Sequence, residues 1–409
     1  MPVLFAAVFA GWVIPQLWSV MLRQVAPGDS LNALLFMSLL CLGAIILGWR
    51  MGTRRTATPH TGFLPRVRER EAGKAATILT GFALIGFLGL GSDPVGASGG
   101  LMWTGRATIF SLVLSIKTAS FALALIYFLR RKTGLSTALL VINLIMFAPY
   151  IIFYFRRQVI LEAALVAAYA LLIVRNYAIP RAVVVAGFVV ASIGIFAAEE
   201  IRGISVEGQA PSLSEIAEID FLALNPINDP QESPEIKNAS HLIYAVQVSG
   251  GYTMGGQVWN RFVFQYVPAQ FVGADIKQDL MLTPWPAELT YNVNRYVPTT
   301  GSTQTGIATA FMEFWYFGSL LFYLNAYVMG RLWRRALAGN SWDKLWYATG
   351  IVPSLHMVTH HSAIFYVSFF FFVVSLTFVS FFLRIQKPAK NLGSLGSVGS
   401  PPPRARRQY

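Results

Sequence analysis

Two adjacent arginines, Arg156 and Arg157, interrupt the stretch "YIIFYFRRQVILEAALVAAYALLIVR" between two runs apolar enough to cross a membrane. Guanidinium forks bind phosphate oxygens bidentately, so such a pair at a membrane surface suits a pyrophosphate headgroup or leaving group. A helix beginning near Gln158 would turn its unpaired amide donors toward the same anion. The plainer alternative is a tight turn whose arginines reach out to lipid phosphates.

Further charges stand where charge is costly. Lys117, in "SLVLSIKTASFAL", sits near the middle of an apolar run and needs a partner or a wet cavity, and Glu162 is a candidate partner. Glu313, in "TGIATAFMEFWYFG", is flanked by bulky apolar residues, so its carboxylate is either buried with an arginine or facing a site. Arg106, Glu199, Glu200 and Arg202 cluster at expected helix ends, where snorkelling is the ordinary explanation. His356, His360 and His361 include an i,i+4 pair that could ligate zinc, but no acidic third ligand stands at the needed spacing. A neutral histidine taking a proton, or a polar turn residue, fits them better. No metal and no cofactor is expected.

The elements that must position these residues are membrane helices. The 409 residues are 55% hydrophobic and 12% charged, with mean hydropathy +0.54, which marks a polytopic membrane protein. A hydrocarbon core about 30 Å thick needs about 20 apolar residues per helix. Ten stretches approach this, near 2–22, 31–49, 75–91, 105–129, 134–153, 158–174, 182–199, 305–330, 345–359 and 362–383. The expected fold is all-α. Transmembrane helices one to seven occupy residues 1–199, a large extracytoplasmic loop 200–302, helices eight to ten 303–383, and a disordered basic cytoplasmic tail 384–409. The ninth stretch is short and carries Pro353. The first lacks the basic start and cleavage site of a signal peptide and reads as a retained helix. Cys41, the single cysteine, rules out an intramolecular disulfide.

Lysine and arginine accumulate in short cytoplasmic loops. Most of the 32 basic residues fall in residues 50–74, 130–132, 175–181, 331–344 and the tail, all on one side if there are ten spans. Both termini are then cytoplasmic, and residues 200–302 lie outside with eleven of the nineteen acidic residues against five basic ones. So long a connection reads as a functional element rather than a linker. Its later part, with Trp259, Phe262, Phe264 and Tyr266 around Arg261, could lie along the outer membrane–water interface. The triplet Asn238-Ala239-Ser240 formally matches a glycosylation acceptor, a pattern too short to weigh much. Nucleotide-binding signatures are missing: there is no GxxxxGK[ST] and no GxGxxG after a strand. An enzyme working outside, where nucleotide sugars are not supplied, would need a lipid-linked donor. No nucleic-acid partner is expected.

The segment "TGSTQTGIATAFMEFWYFGSLLFYLNAYVMGRLWRR" resembles the late helix of bacterial O-antigen (Wzy-type) and related oligosaccharide repeat-unit polymerases, through Thr305, Gly306, Glu313, Phe317, Gly318, Gly330 and Arg331. "GGYTMGGQVWNRFVFQYVPAQFVGADIK" is similar to that family's external segment, ending here in Pro268 and Lys277, and the Arg156–Arg157 turn to its arginine-rich outer turn. Ala269 replaces the family's basic residue, and His360 and His361 stand where an arginine is usual.

The resemblance implies a glycosyltransferase of the bacterial inner membrane that joins polyprenyl-pyrophosphate-linked oligosaccharides on the outer face, for O-antigen, capsule or exopolysaccharide. Its partners would be that lipid-linked substrate, membrane lipids, a chain-length regulator and a flippase. Arg156 and Arg157, with Arg261, would stabilise the leaving pyrophosphate. Glu313, Glu200 and His241 are the candidate bases. Arg202, Lys277 and Lys117 are candidate substrate cations, and Tyr252, Trp259 and Tyr266 could stack on sugars or simply anchor at the interface. An O-antigen ligase shares the plan and donor chemistry. A flippase or other transporter is the alternative of another class; it predicts internal symmetry, and no internal repeat is evident.

Overall fold

The computed structural model describes residues 2–54, 64–65, 67–90, 106–152, 157–177, 234–298 and 302–383. Among the described residues the protein is helical and has no strand. Eight helices are long and apolar enough to cross a membrane, which makes it an α-helical membrane protein. Helices suit that solvent because every interior N–H finds its carbonyl within the same segment. The first three spanning helices are α1 (Pro2–Arg23), α2 (Ser30–Thr53) and α3 (Glu69–Leu90). The fourth span is divided at Ser115 and Ile116 into α4 (Arg106–Leu114) and α5 (Lys117–Arg130). Then come α6 (Gly134–Ile152) and α7 (Arg157–Arg175). The expected seventh span, 182–199, the first third of the long connection and the tail lie outside the described residues.

The connection contributes α8 (Pro234–Ser249), α9 (Gly256–Tyr266), the short α10 (Ala269–Val272) and α11 (Ala274–Asp279), and α12 (Pro286–Asn294). The expected eighth span is two helices, α13 (Gly306–Phe314) and α14 (Ser319–Ala338), joined by a 3-10 turn at Trp315–Gly318. Trp315 takes a left-handed φ of 53°, and a Cβ on Gly318 would stand 2.0 Å from the Ala310 carbonyl oxygen. The chain therefore doubles back here instead of running straight. A break also appears in α1, where Phe9–Val13 forms a π-helical turn just ahead of Pro15. Proline has no N–H to give and its ring crowds the preceding turn, which that wider turn accommodates.

The expected ninth span is α15 (Ser341–Thr359), and it differs in kind from the others. Every residue from Ser341 to Val358 is buried, so the helix forms the centre of the bundle. Asp343 and Lys344 sit in its first turn, and it is not among the eight apolar spans. A helix walled by protein needs no lipid-compatible surface, which explains its weak hydropathy. The last helix, α16 (Ile364–Phe381), is uniformly apolar.

The most extensive packing is between α14 and α2, which run parallel. Gly48 and Gly52 let the backbones touch, since a Cβ on either would stand 2.2 or 2.3 Å from the carbonyl oxygens of Tyr323 and Tyr327. Small residues at such a seam permit the close approach that drives helix association in lipid. The seam also gathers the basic ends. Arg334 donates to the Arg54 carbonyl, Arg335 to those of Leu64 and Pro65, and Arg335 pairs with Asp343. Glu69 accepts from Arg130 and from Ser341, and Tyr169 near the end of α7 donates to the Lys344 carbonyl. One end of the bundle thus collects the arginines and lysines of several loops.

Gly48→Leu and Gly52→Leu should each destabilise the protein by about 1–3 kcal/mol, the usual cost of overpacking against something that cannot move. Gly43→Leu and Gly81→Leu, where a Cβ would meet nothing within 4 Å, should not. Thermal unfolding of the detergent-solubilised variants, followed by size-exclusion chromatography, separates the two pairs.

Candidate functional site

At the non-basic end, the long connection is riveted to the span break by Glu313. Its side chain is fully buried, and its two oxygens accept from the Gly255 N–H at 2.7 Å, the Val258 N–H at 2.8 Å and the Thr253 hydroxyl at 2.9 Å. The amides of Thr253 and Met254 bond the Met312 and Glu313 carbonyls, both at 2.9 Å. Glu313 therefore caps α9 from another element, meeting the unpaired donors and positive dipole end of that helix. Met254 and Gly255 carry φ of 47° and 94°, the left-handed turn that aims these amides at the carboxylate. The oxygens a general base would use are engaged in holding α9.

Most aromatic and cationic candidates on the connection are likewise tied down. Lys277 is fully buried and donates to the Phe264 carbonyl at 2.8 Å, locking α11 to α9. The Trp259 indole donates to the Leu280 carbonyl at 2.8 Å, and the Tyr266 hydroxyl to the Val367 carbonyl of α16 at 2.6 Å. Tyr252 packs at 6.0 Å on the Phe311 ring. Arg261 differs. Its guanidinium lies 4.6 Å from the centre of the Trp285 ring, and among the described residues no carboxylate pairs with it. Burial pulls its pKa down to about 10, which still leaves it charged at neutral pH. Beside it an open depression of about 360 Å³ is lined by Gln278, Thr283, Trp285 and Glu288.

Residues that the sequence did not single out do much of this positioning. Asn260, fully buried, donates to the Thr283 carbonyl at 2.7 Å and accepts from the Leu282 N–H at 2.8 Å, while Gln257 donates to the Thr283 hydroxyl at 2.9 Å. Two amides one turn apart in an otherwise aromatic helix were the available signal. Asn238 corrects the glycosylation pattern. It is fully buried, accepting from the Tyr296 hydroxyl at 2.6 Å and donating to Ser302 at 2.7 Å, so in the folded protein its amide is not open to modification.

His241 stacks flat on Tyr296, with ring centres 3.7 Å apart, and its Nδ1 lies 3.0 Å from the Asn294 amide. Burial, aided by the Lys237 charge, lowers its pKa to about 4. Three further histidines, His356, His360 and His361, gather where α15 ends. Gln158, in the first turn of α7, lies 3.3 Å from His356 Nδ1, and the His356 and His360 rings are 4.6 Å apart. His361 is held well below its ordinary pKa by burial and by the charge of Arg261. The helix that the arginine turn leads into, the histidine loop and α9 thus meet at one end of the bundle. Arg157 opens α7, but its side chain lies outside the described residues, as do Arg156, Glu200 and Arg202 entirely. Among the described residues no three His, Cys, Asp or Glu are grouped to hold a metal ion. Lys117 stands apart in the membrane-spanning layer, 4.3 Å over the Tyr150 ring, and its charge acts on buried Glu162, which accepts from Thr118.

Glu313→Ala leaves two inward amides without their acceptor and should cost about 2–3 kcal/mol, with Glu313→Gln costing less because one acceptor oxygen remains. Thermal melts of both variants, with proteolysis of the 267–284 segment as a second readout, test this. Below about pH 6.5, its ordinary value, an unfolded chain protonates position 241, whereas the folded protein resists until about pH 4. The contribution of His241 to stability is therefore full above that window and is lost as pH falls through it. Melting temperatures measured from pH 7 to 4 should fall less steeply for His241→Gln than for the wild type.

No family model matches this chain, and no curated protein or solved structure matches it.

Proposed function

We propose that the protein polymerises polyprenyl-pyrophosphate-linked oligosaccharide repeat units at the outer face of the bacterial inner membrane. In this proposal the bundle has ten spans and both termini are cytoplasmic. The basic end is then the cytoplasmic one under the positive-inside rule, and the end carrying the connection faces outward. The supporting observation is the meeting of the first turn of α7 with His356 while the charge of Arg261 acts on His361. Cations and neutral imidazoles at one outward end suit a reaction in which an anion departs and a hydroxyl loses its proton.

The hydroxyl of the incoming unit attacks the anomeric carbon of the growing chain, whose bond to the pyrophosphate oxygen breaks. Arg156, Arg157 and Arg261 receive the negative charge left on the pyrophosphate. Glu200 takes the hydroxyl proton, since the Glu313 oxygens are occupied in capping α9. Glu313 and Lys277 are positioning residues in this account, and Trp285 beside Arg261 offers a flat face to a sugar ring.

A strain lacking the gene, complemented with wild type or with Arg156→Ala/Arg157→Ala, tests the proposal through gel and mass analysis of its surface and lipid-linked glycans. Long chains should vanish in the deletion while single capped repeat units persist. The double variant should restore them ~100-fold less well at normal membrane levels, the scale of losing transition-state charge stabilisation. Accumulation of long, uncapped lipid-linked chains would instead identify a ligase, and units trapped on the cytoplasmic side a transporter.

A further inference from the structure

The last helix sets a depth scale for the long connection. The 18 residues of α16 rise about 27 Å, close to the hydrocarbon thickness of about 30 Å, so Ile364 stands near one boundary of that layer. Tyr266 bonds the Val367 carbonyl, and both Phe262 and Tyr266 pack on the Phe370 ring, with centres 5.3 and 5.7 Å away. Those positions lie three and six residues along α16, about 5 and 9 Å below its start. Helix α9 therefore rests against α16 within the layer where acyl chains meet headgroups, rather than above it.

Among the described residues, the surface that continues outward from this contact is apolar and uncovered. Phe370 is 49% exposed while touching α9, and Val374 and Phe378 extend the same strip along α16. On the connection, Trp259 is 47% exposed, Phe271 75%, Ile276 56% and Leu282 68%. The polar groups of the segment are arranged to suit. Lys277 turns its ammonium inward onto a carbonyl, and α11 carries Asp275 and Asp279 one turn apart on one flank, with Ile276 and, just past the helix end, Leu280 one turn apart on the next. A short element with one acidic edge and one aliphatic edge fits a boundary with water above and acyl chains below.

We propose that residues 256–282 form a monotopic element seated in the leaflet at the non-basic end, with Trp259, Phe271, Ile276 and Leu282 in contact with phospholipid acyl chains. The lipid-facing surface of the bundle is thereby extended sideways beyond α16, independently of the chemistry proposed above.

Single-cysteine variants Phe271→Cys, Ile276→Cys, Leu282→Cys and Asp279→Cys, made on Cys41→Ala, are labelled with a bimane and reconstituted into phosphatidylglycerol–phosphatidylethanolamine vesicles. The first three labels should be quenched by lipid brominated on its acyl chains and be about threefold less sensitive to aqueous iodide than the label at 279. Leu280→Cys supplies a further lipid-side position should one variant fail to fold. Equal iodide access at all positions without bromine quenching would overturn the proposal. So would protection from both quenchers, which would mean that protein covers the face.

Discussion

Inside a bilayer an unpaired amide or carboxylate has no water to turn to, so every polar group in the bundle has to be answered by another part of the chain. The helices satisfy this along their lengths, and the informative places are where they stop. When α13 ends at Phe314 its neighbouring turn does not continue the ladder. Glu313, one residue earlier, reaches instead to the start of α9 and answers the free amides there. One carboxylate thus completes a break in a spanning helix and fixes the approach of the long connection. The position of α9, and with it Arg261 and Trp285, follows from that contact.

The basic end follows the same rule with ions. Asp343 closes a capping box with Asn340 at the start of α15 and pairs with Arg335 of α14. Lys344 donates to the Ala336 and Gly339 carbonyls at 3.1 and 2.9 Å, satisfying the last turn of α14 from the next helix. Buried ion pairs gain little net stability over an apolar core, but removing one partner strands the other. Their value here is geometric: they hold α14 and α15 antiparallel in one register. Deeper in the bundle, Thr80, Ser120 and Asn143 join α3, α5 and α6 through hydrogen bonds of 3.0 and 3.1 Å.

Membrane class, the all-helical build and the clustering of basic loops at one end were legible in the residues, because hydrophobic length and charge placement are local properties that the bilayer reads directly. Burial was harder. Residues 345–359 look like a weak span, yet α15 is the centre of the bundle, and hydropathy cannot distinguish a helix surrounded by lipid from one surrounded by helices. The division of 305–330 into α13 and α14 was also hidden, since it depends on Trp315 adopting a left-handed backbone that its side chain does not announce.

For the candidate site, residue type indicated which groups were unusual and tertiary contact decided how they are used. Glu313 and Lys277 were conspicuous as charges among apolar neighbours, but each is enclosed by its own partners, α9 for the carboxylate and the Phe264 carbonyl for the ammonium. Asn260 and Asn238 were inconspicuous because amides are common, and their importance comes from complete burial with every bond made across the chain. The sequence by itself determined that helices would form, where the apolar runs lie and which ends would carry the positive charge, since backbone pairing and solvation act over a few residues. Only the tertiary structure decided which polar groups meet, because those contacts join different elements, some of them far apart in the chain, as in the Glu313 bonds to Gly255 and Val258, 58 and 55 positions away.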